Sequence, residues 1–195
     1  MSFHVKTKLV IGLTGAMLSG KSTALAYFKQ GGADTLSCDE MVRELYTRPA
    51  VLAKIKAALG TADKTQLAQL VFQNGAKRKA LEQILHPLIL KAVRARIKAC
   101  KQKLIVVEVP LLFEVGWDKL MDLNVAVLAD PKTLPARLQG RKLTRAQYQR
   151  RTRFQLKDAE KAARADLVFF HTNKAQLKQS VTRLCRALNL LHVKK

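Results

Sequence analysis

A short apolar run, Leu9 to Leu13 (LVIGL), leads directly into TGAMLSGKST, Thr14 to Thr23. Within it Gly15, four residues, then Gly20, Lys21 and Ser22 match the spacing G-x-x-x-x-G-K-[ST]. That spacing constrains the fold because it needs a strand before it and a helix starting near Lys21 after it. Only then do successive backbone N–H groups turn inward while the helix adds its positive end, making a seat for phosphate. The candidate nucleotide-binding residues are therefore Gly15, Ala16, Met17, Leu18, Ser19, Gly20, Lys21, Ser22 and Thr23. Lys21 is placed to reach β and γ phosphates, and Ser22 to ligate Mg²⁺.

The rest of the chain repeats the strand-then-helix alternation. LIVVEV (104–109), LNVAVLA (123–129) and LVFF (167–170) are nearly continuous apolar runs, the mark of strands buried on both faces of a parallel sheet. DTLSCD (34–39) is a weaker fifth candidate. Helical stretches are expected at 22–30, 39–46, 50–59, 65–72, 76–101, 144–163 and 174–190. This is a doubly wound α/β pattern with a five-stranded, mainly parallel sheet. The stretch from about residue 40 to 103 is too long for one crossover, so it is expected to form a helical insert. A second insert, 131–165, carries the arginine cluster RKLTRAQYQRRTR (141–153).

Composition excludes several classes. No apolar run reaches the length of a membrane span, and the basic start, MSFHVKTKLVIGL, has too short an apolar stretch for a signal peptide. Cys38, Cys100 and Cys185 are odd in number and widely spaced, which suggests reduced thiols in a cytoplasmic protein rather than a disulfide framework or zinc site. With 36 Lys and Arg against 14 Asp and Glu, the net charge is +22, a field that attracts polyanions. The charge is dispersed, aromatics are 6%, and no basic run with stacking aromatics stands out, so no specific nucleic-acid partner is expected.

Other residues have a chemical and a plain structural reading. Asp39, after the second strand, stands where ligands of open α/β sheets bind, and could take the proton of an attacking hydroxyl; it is equally placed to cap the next helix. Glu108 ends LIVVE where an acid can hold the Mg²⁺ shell, or is a simple strand-end acid. Pro110 should stop that strand, and Leu111, Leu112 and Phe113 read as core or cleft lining. In ILHPLIL (84–90), Pro87 should break or kink its helix, and His86 reads as a hydrogen-bonded structural histidine. The arginines at 141–153 could close over a transferring phosphoryl group or face solvent.

IGLTGAMLSGKST, LSCDEMVRELY, DKTQLAQLVF, LEQILHPLI, VPLLFE, ARLQGR and RTRFQ with RAD beyond it stand in the order of the dephospho-CoA kinase family. The chain resembles that family from about Leu9 to Leu184. The resemblance implies a three-layer, doubly wound P-loop kinase fold that transfers phosphate from ATP, with Mg²⁺, to the ribose 3′-hydroxyl of dephospho-CoA. It implies Asp39 as the base, with Lys21, Arg141 and Arg151 neutralising the transferring group. It further implies an acceptor site with Lys64, His86, Pro87, Leu111, Leu112 and Glu114, and metal ligation by Ser22 and Glu108. One P-loop domain, 1–195, would then contain a nucleotide core (1–39, 100–130, 166–195), an acceptor-binding insert (40–99) and a lid (131–165). The protein would be a cytoplasmic monomer or weak oligomer with ATP and dephospho-CoA as partners and no membrane association.

Several positions depart from the family pattern. Ala16 and Leu18 replace loop glycines, which the loop tolerates if their φ angles are negative, with the penalty confined to donor affinity. Ser37 replaces the first acid of a D-A-D stretch, and Lys64 and Lys161 stand where arginine is usual. His171 falls at or near a usual asparagine, and the segment around Gly60 is short. Two other readings stay open here: a weakened homologue that binds nucleotide or nucleic acid, and a kinase for another nucleoside-type acceptor.

Overall fold

The computed structural model describes residues 8–193; the basic segment 1–7, expected not to be a leader, lies outside them. The strands are β1 (Leu9–Thr14), β2 (Asp34–Ser37), β3 (Leu104–Glu108), β4 (Leu123–Ala129) and β5 (Leu167–His171). The helices are α1 (Lys21–Gln30), α2 (Cys38–Leu45), α3 (Pro49–Leu59), α4 (Lys64–Gln73) and α5 (Gly75–Ala99). They continue with α6 (Leu134–Gly140), α7 (Arg145–Thr152), α8 (Asp158–Arg164) and α9 (Lys174–Val193).

The five strands form one sheet in the order β2-β3-β1-β4-β5. β1 runs parallel to both β3 and β4, and β4 runs parallel to β5. Side chains alternate across the sheet. Ile11, Leu13, Val106, Val125 and Val127 join Ala24 and Phe28 of α1 and Leu177, Val181 and Cys185 of α9 in one core. Val10, Ile105 and Val107, at the alternate positions, are also fully buried. Continuous apolar strands are what burial on both faces requires. Phe28 stacks on Phe169 with ring centroids 6.4 Å apart, tying α1 to β5.

The chain divides into two compact units, Met1–Leu36 with Ile97–Lys195, and Ser37–Arg96. The second is helical. Met41 and Leu45, then Val51, Ile55 and Leu59, then Leu85, Ile89 and Val93 form buried stripes at helical spacing. Asp63 caps α4 by accepting from the Gln66 N–H at 2.9 Å.

Three local expectations change. α5 runs unbroken through Pro87; its buried stripe continues on both sides of the proline, so packing outweighs the lost backbone bond. The helix expected over 144–163 is two helices, α7 and α8, with a turn between them. Asp39 is not the cap of α2: Ser37 holds that position and Asp39 lies in the first turn.

Candidate active site

The loop after β1 closes as its spacing demands. Ser19 N donates to Ala16 O at 3.1 Å, and α1 starts at Lys21 with Gly20 at its N-cap. Gly20 has φ +108, and a side chain there would overlap the His171 ring. A side chain at Gly15 would collide with the Val127 carbonyl. Both positions need glycine for space as well as conformation.

Leu18 departs from expectation. Its φ is +66, in the left-handed region, so the proviso of negative angles holds for Ala16 and fails for Leu18. A leucine there costs about 1–2 kcal/mol. The cost is borne because Arg137, from α6, grips the turn: its Nη1 donates to Leu18 O at 2.8 Å and to Ser19 O at 3.2 Å. Its Nη2 donates to His171 O at 2.8 Å.

Lys21 is buried and its Nζ donates to Ala16 O at 3.0 Å, which holds the ammonium over the loop. Ser22 Oγ donates to Glu108 Oε1 at 3.4 Å. A hydroxyl beside a carboxylate at a helix N-terminus is a pair of hard oxygen donors of the kind Mg²⁺ takes, with phosphate and water completing the shell. No cluster of three or more His, Cys, Asp or Glu among the described residues offers an all-protein metal cage.

Beside the loop lies a cavity of about 760 Å³, large enough for a nucleotide. Leu18 and Gly20 to Thr23 of the loop and helix line it on one side, Arg137 and Arg141 on another, and His171 to Lys174 on a third. The structure thus brings the loop, Lys21, Ser22 and Arg141 to one cavity. Arg151 is exposed on α7 and does not line it. Arg137 and Asn173 are cavity residues that sequence reasoning passed over. The signal for Arg137 was present in ARLQGR, where it stands four residues before Arg141.

Just past β3, Leu112 is fully buried and would press against any side chain at Gly12. It belongs to the core and is out of a ligand's reach, whereas Leu111 is half-buried. Glu114 Oε1 accepts from the Leu156 N–H at 2.8 Å and pairs with Lys161 Nζ at 2.9 Å. That oxygen therefore braces α8. Asp158, at the start of α8, has a carboxyl pushed up by burial, with Lys161 and Lys21 pulling it back down.

In the Ser37–Arg96 unit, Asp39 is exposed and its carbonyl accepts from Arg43 Nε at 3.3 Å. Lys64 stands over the Tyr46 ring at 5.7 Å. His86 is half-buried and Pro87 exposed on α5.

A parallel sheet, a glycine loop running into a helix at its carboxyl edge, and a nucleotide-sized cavity beside that loop define a P-loop kinase. The dephospho-CoA kinase family model matches residues 9–179, and the chain belongs to that family. It is 34% identical over 172 residues to a dephospho-CoA kinase of Enterococcus faecalis, covering 82% of this chain and 86% of that one. It is 29% identical to a Fusobacterium nucleatum dephospho-CoA kinase, covering 92% and 98% of the two chains. Among solved structures, TT1252 from Thermus thermophilus superposes with a TM-score of 0.84 at 28% identity, covering 93% of this chain and 98% of that one.

Proposed function

We propose that this protein transfers the terminal phosphoryl group of ATP to the ribose 3′-hydroxyl of dephospho-CoA, giving coenzyme A and ADP, the last step of coenzyme A synthesis. The observation that carries the reading is the family match over residues 9–179, in a chain that keeps Lys21, Ser22, Asp39 and Arg141.

Each residue then has a physical task. The loop N–H groups and the α1 N-terminus hold the donor phosphates. Lys21 exchanges its bond to Ala16 O for the phosphates and, with Arg141 and Arg151, neutralises charge on the transferring group. Ser22 and Glu108 hold Mg²⁺, which supplies charge neutralisation across the donor phosphates when bound. Asp39 accepts the proton of the 3′-hydroxyl. Residues 40–99 carry the acceptor, with Lys64, His86, Pro87 and Leu111 in its site. Residues 131–165 act as the lid. No helix of the described residues is long and apolar enough to cross a membrane. A net charge of +22 speeds the arrival of two polyanionic substrates.

ADP release with dephospho-CoA, set beside a panel of nucleosides and nucleotides, tests the reading. The highest kcat/KM is expected with dephospho-CoA; a better acceptor in the panel, or no release with any, overturns it.

A further inference from the structure

His171 ends β5 and is nearly buried, at 8% exposure. Its Nδ1 lies 2.9 Å from Ser19 O and 3.0 Å from Arg137 Nη1. The first neighbour is an acceptor and the second a donor, so the ring nitrogen is wedged between the phosphate loop and the arginine that grips it. The ring also occupies the space that Gly20 leaves open. Arg137 in turn holds the carbonyl of Leu18, the residue with left-handed backbone. Arg137 and His171 therefore form a brace on the loop carbonyls at the wall of the cavity they both line.

We propose that His171 is a positioning residue for the phosphate loop, and that the loop takes the donor phosphates well only while this imidazole is neutral. The inference rests on the reading of the loop as a donor-nucleotide site. A neutral ring meets Arg137 and Ser19 O at the cost of one imperfect contact in either tautomer. A protonated ring puts a second cation 3.0 Å from the guanidinium and drives Arg137 from the Leu18 and Ser19 carbonyls. Leu18 is then free to leave its strained conformation, and the loop loses its shape. The charged groups acting on the ring are Arg137 from α6 and Lys174 from α9, both positive.

The fold already favours the neutral form. Burial chiefly, then Arg137 and Lys174, hold the imidazole below its ordinary value, against the pull of the Ser19 carbonyl. Because the folded value lies below the unfolded one (about 6.5), the associated stability is present above that pH. It is lost as pH falls through the folded value.

The test is the affinity of ATP–Mg²⁺, by titration calorimetry, for wild type, His171→Asn and His171→Ala. It runs from about pH 8 down to the lowest pH at which melting curves show the proteins folded, with the protonation of the His171 ring followed by NMR. The nucleotide's own phosphate titration is common to all three, so the ratio between proteins isolates the ring. The asparagine amide can donate and accept but does not titrate. Wild type is expected to lose about tenfold more affinity on acidification than His171→Asn. His171→Ala should bind weakly at every pH. If alanine prevents folding, as a melting curve would show, the wild type and asparagine pair still decides. Equal pH profiles for those two, or wild-type affinity rising relative to asparagine in acid, overturns the inference while leaving the donor site intact. Absence of binding at every pH in all three overturns the donor-site reading itself, and the inference with it.

Discussion

Lys161 is fully buried and sets its ammonium 2.9 Å from Glu114 Oε1 and 2.9 Å from the Pro110 carbonyl. The same Glu114 oxygen accepts from the Leu156 N–H, so one ion pair joins the segment after β3 to the start of α8. Lysine in place of the family's usual arginine suits this site, because a compact ammonium with two oxygen partners fits where a planar fork would need more room. Removing the cation leaves a poorly solvated carboxylate. Lys161→Met should destabilise the protein by about 3–5 kcal/mol. Urea denaturation checks this, with a loss under 1 kcal/mol counting against the pair.

Leu18 yields the next prediction. Glycine at this position relieves the left-handed strain, so Leu18→Gly should bind ATP–Mg²⁺ as tightly as wild type or several-fold tighter. Leu18→Val, whose branched side chain is least tolerant of positive φ, should bind about tenfold more weakly. Titration calorimetry on the two variants checks the order.

Lys21 and Ser22 should separate in their effects. Lys21→Met removes charge aimed at the transferring group and should lower kcat by about 10²–10³. Ser22→Ala should chiefly raise the Mg²⁺ concentration needed for half-maximal rate, by about tenfold. Rates measured across a Mg²⁺ titration check both. Equal metal dependence of wild type and Ser22→Ala would remove Ser22 from the metal shell.

The Asp158 carboxyl titrates above its ordinary value because burial penalises its charge, and its Oδ1 is buried without a hydrogen-bond partner. The folded protein thus holds this proton to higher pH than the unfolded chain. Stability from the group is full below the unfolded value of about 3.9 and is lost as pH rises through the folded one. Asp158→Asn should raise the melting temperature near neutral pH, and the gain should vanish in acid. Melting curves at several pH values check the sign.

What could be read from the chain before its structure follows a physical divide. β1, β3 and β4 were legible because strands buried on both faces write themselves as continuous apolar runs. β5 is equally apolar but is an edge strand that leaves Leu167 and Phe170 exposed, so its run marked a strand without marking burial on both faces. The loop was legible because its glycines carry positive φ, a demand the local backbone makes, although the space they leave is set by Val127 and His171 far along the chain. The break between α7 and α8 was not, because it is set by Glu114, over forty residues earlier in the chain, capturing Leu156 and Lys161. The unbroken course of α5 through Pro87 depends on the packing of Leu85, Ile89 and Val93. The left-handed turn at Leu18 depends on Arg137, 119 residues away. In the candidate site, Lys21 and Ser22 announced themselves by spacing and Arg141 only through the family resemblance. Arg137, though it stands in ARLQGR, and His171 act through backbone carbonyls whose positions the sequence does not display.

The central claim is phosphoryl transfer to the 3′-hydroxyl with Asp39 as base. It is tested most directly by incubating the protein with ATP, Mg²⁺ and dephospho-CoA and locating the new phosphate by phosphorus NMR. One 3′-phosphate per ADP is predicted for wild type, with the rate lowered about 10²–10⁴-fold in Asp39→Asn. No 3′-phosphorylated product from wild type, or an Asp39→Asn protein that turns over at the wild-type rate, would contradict the account.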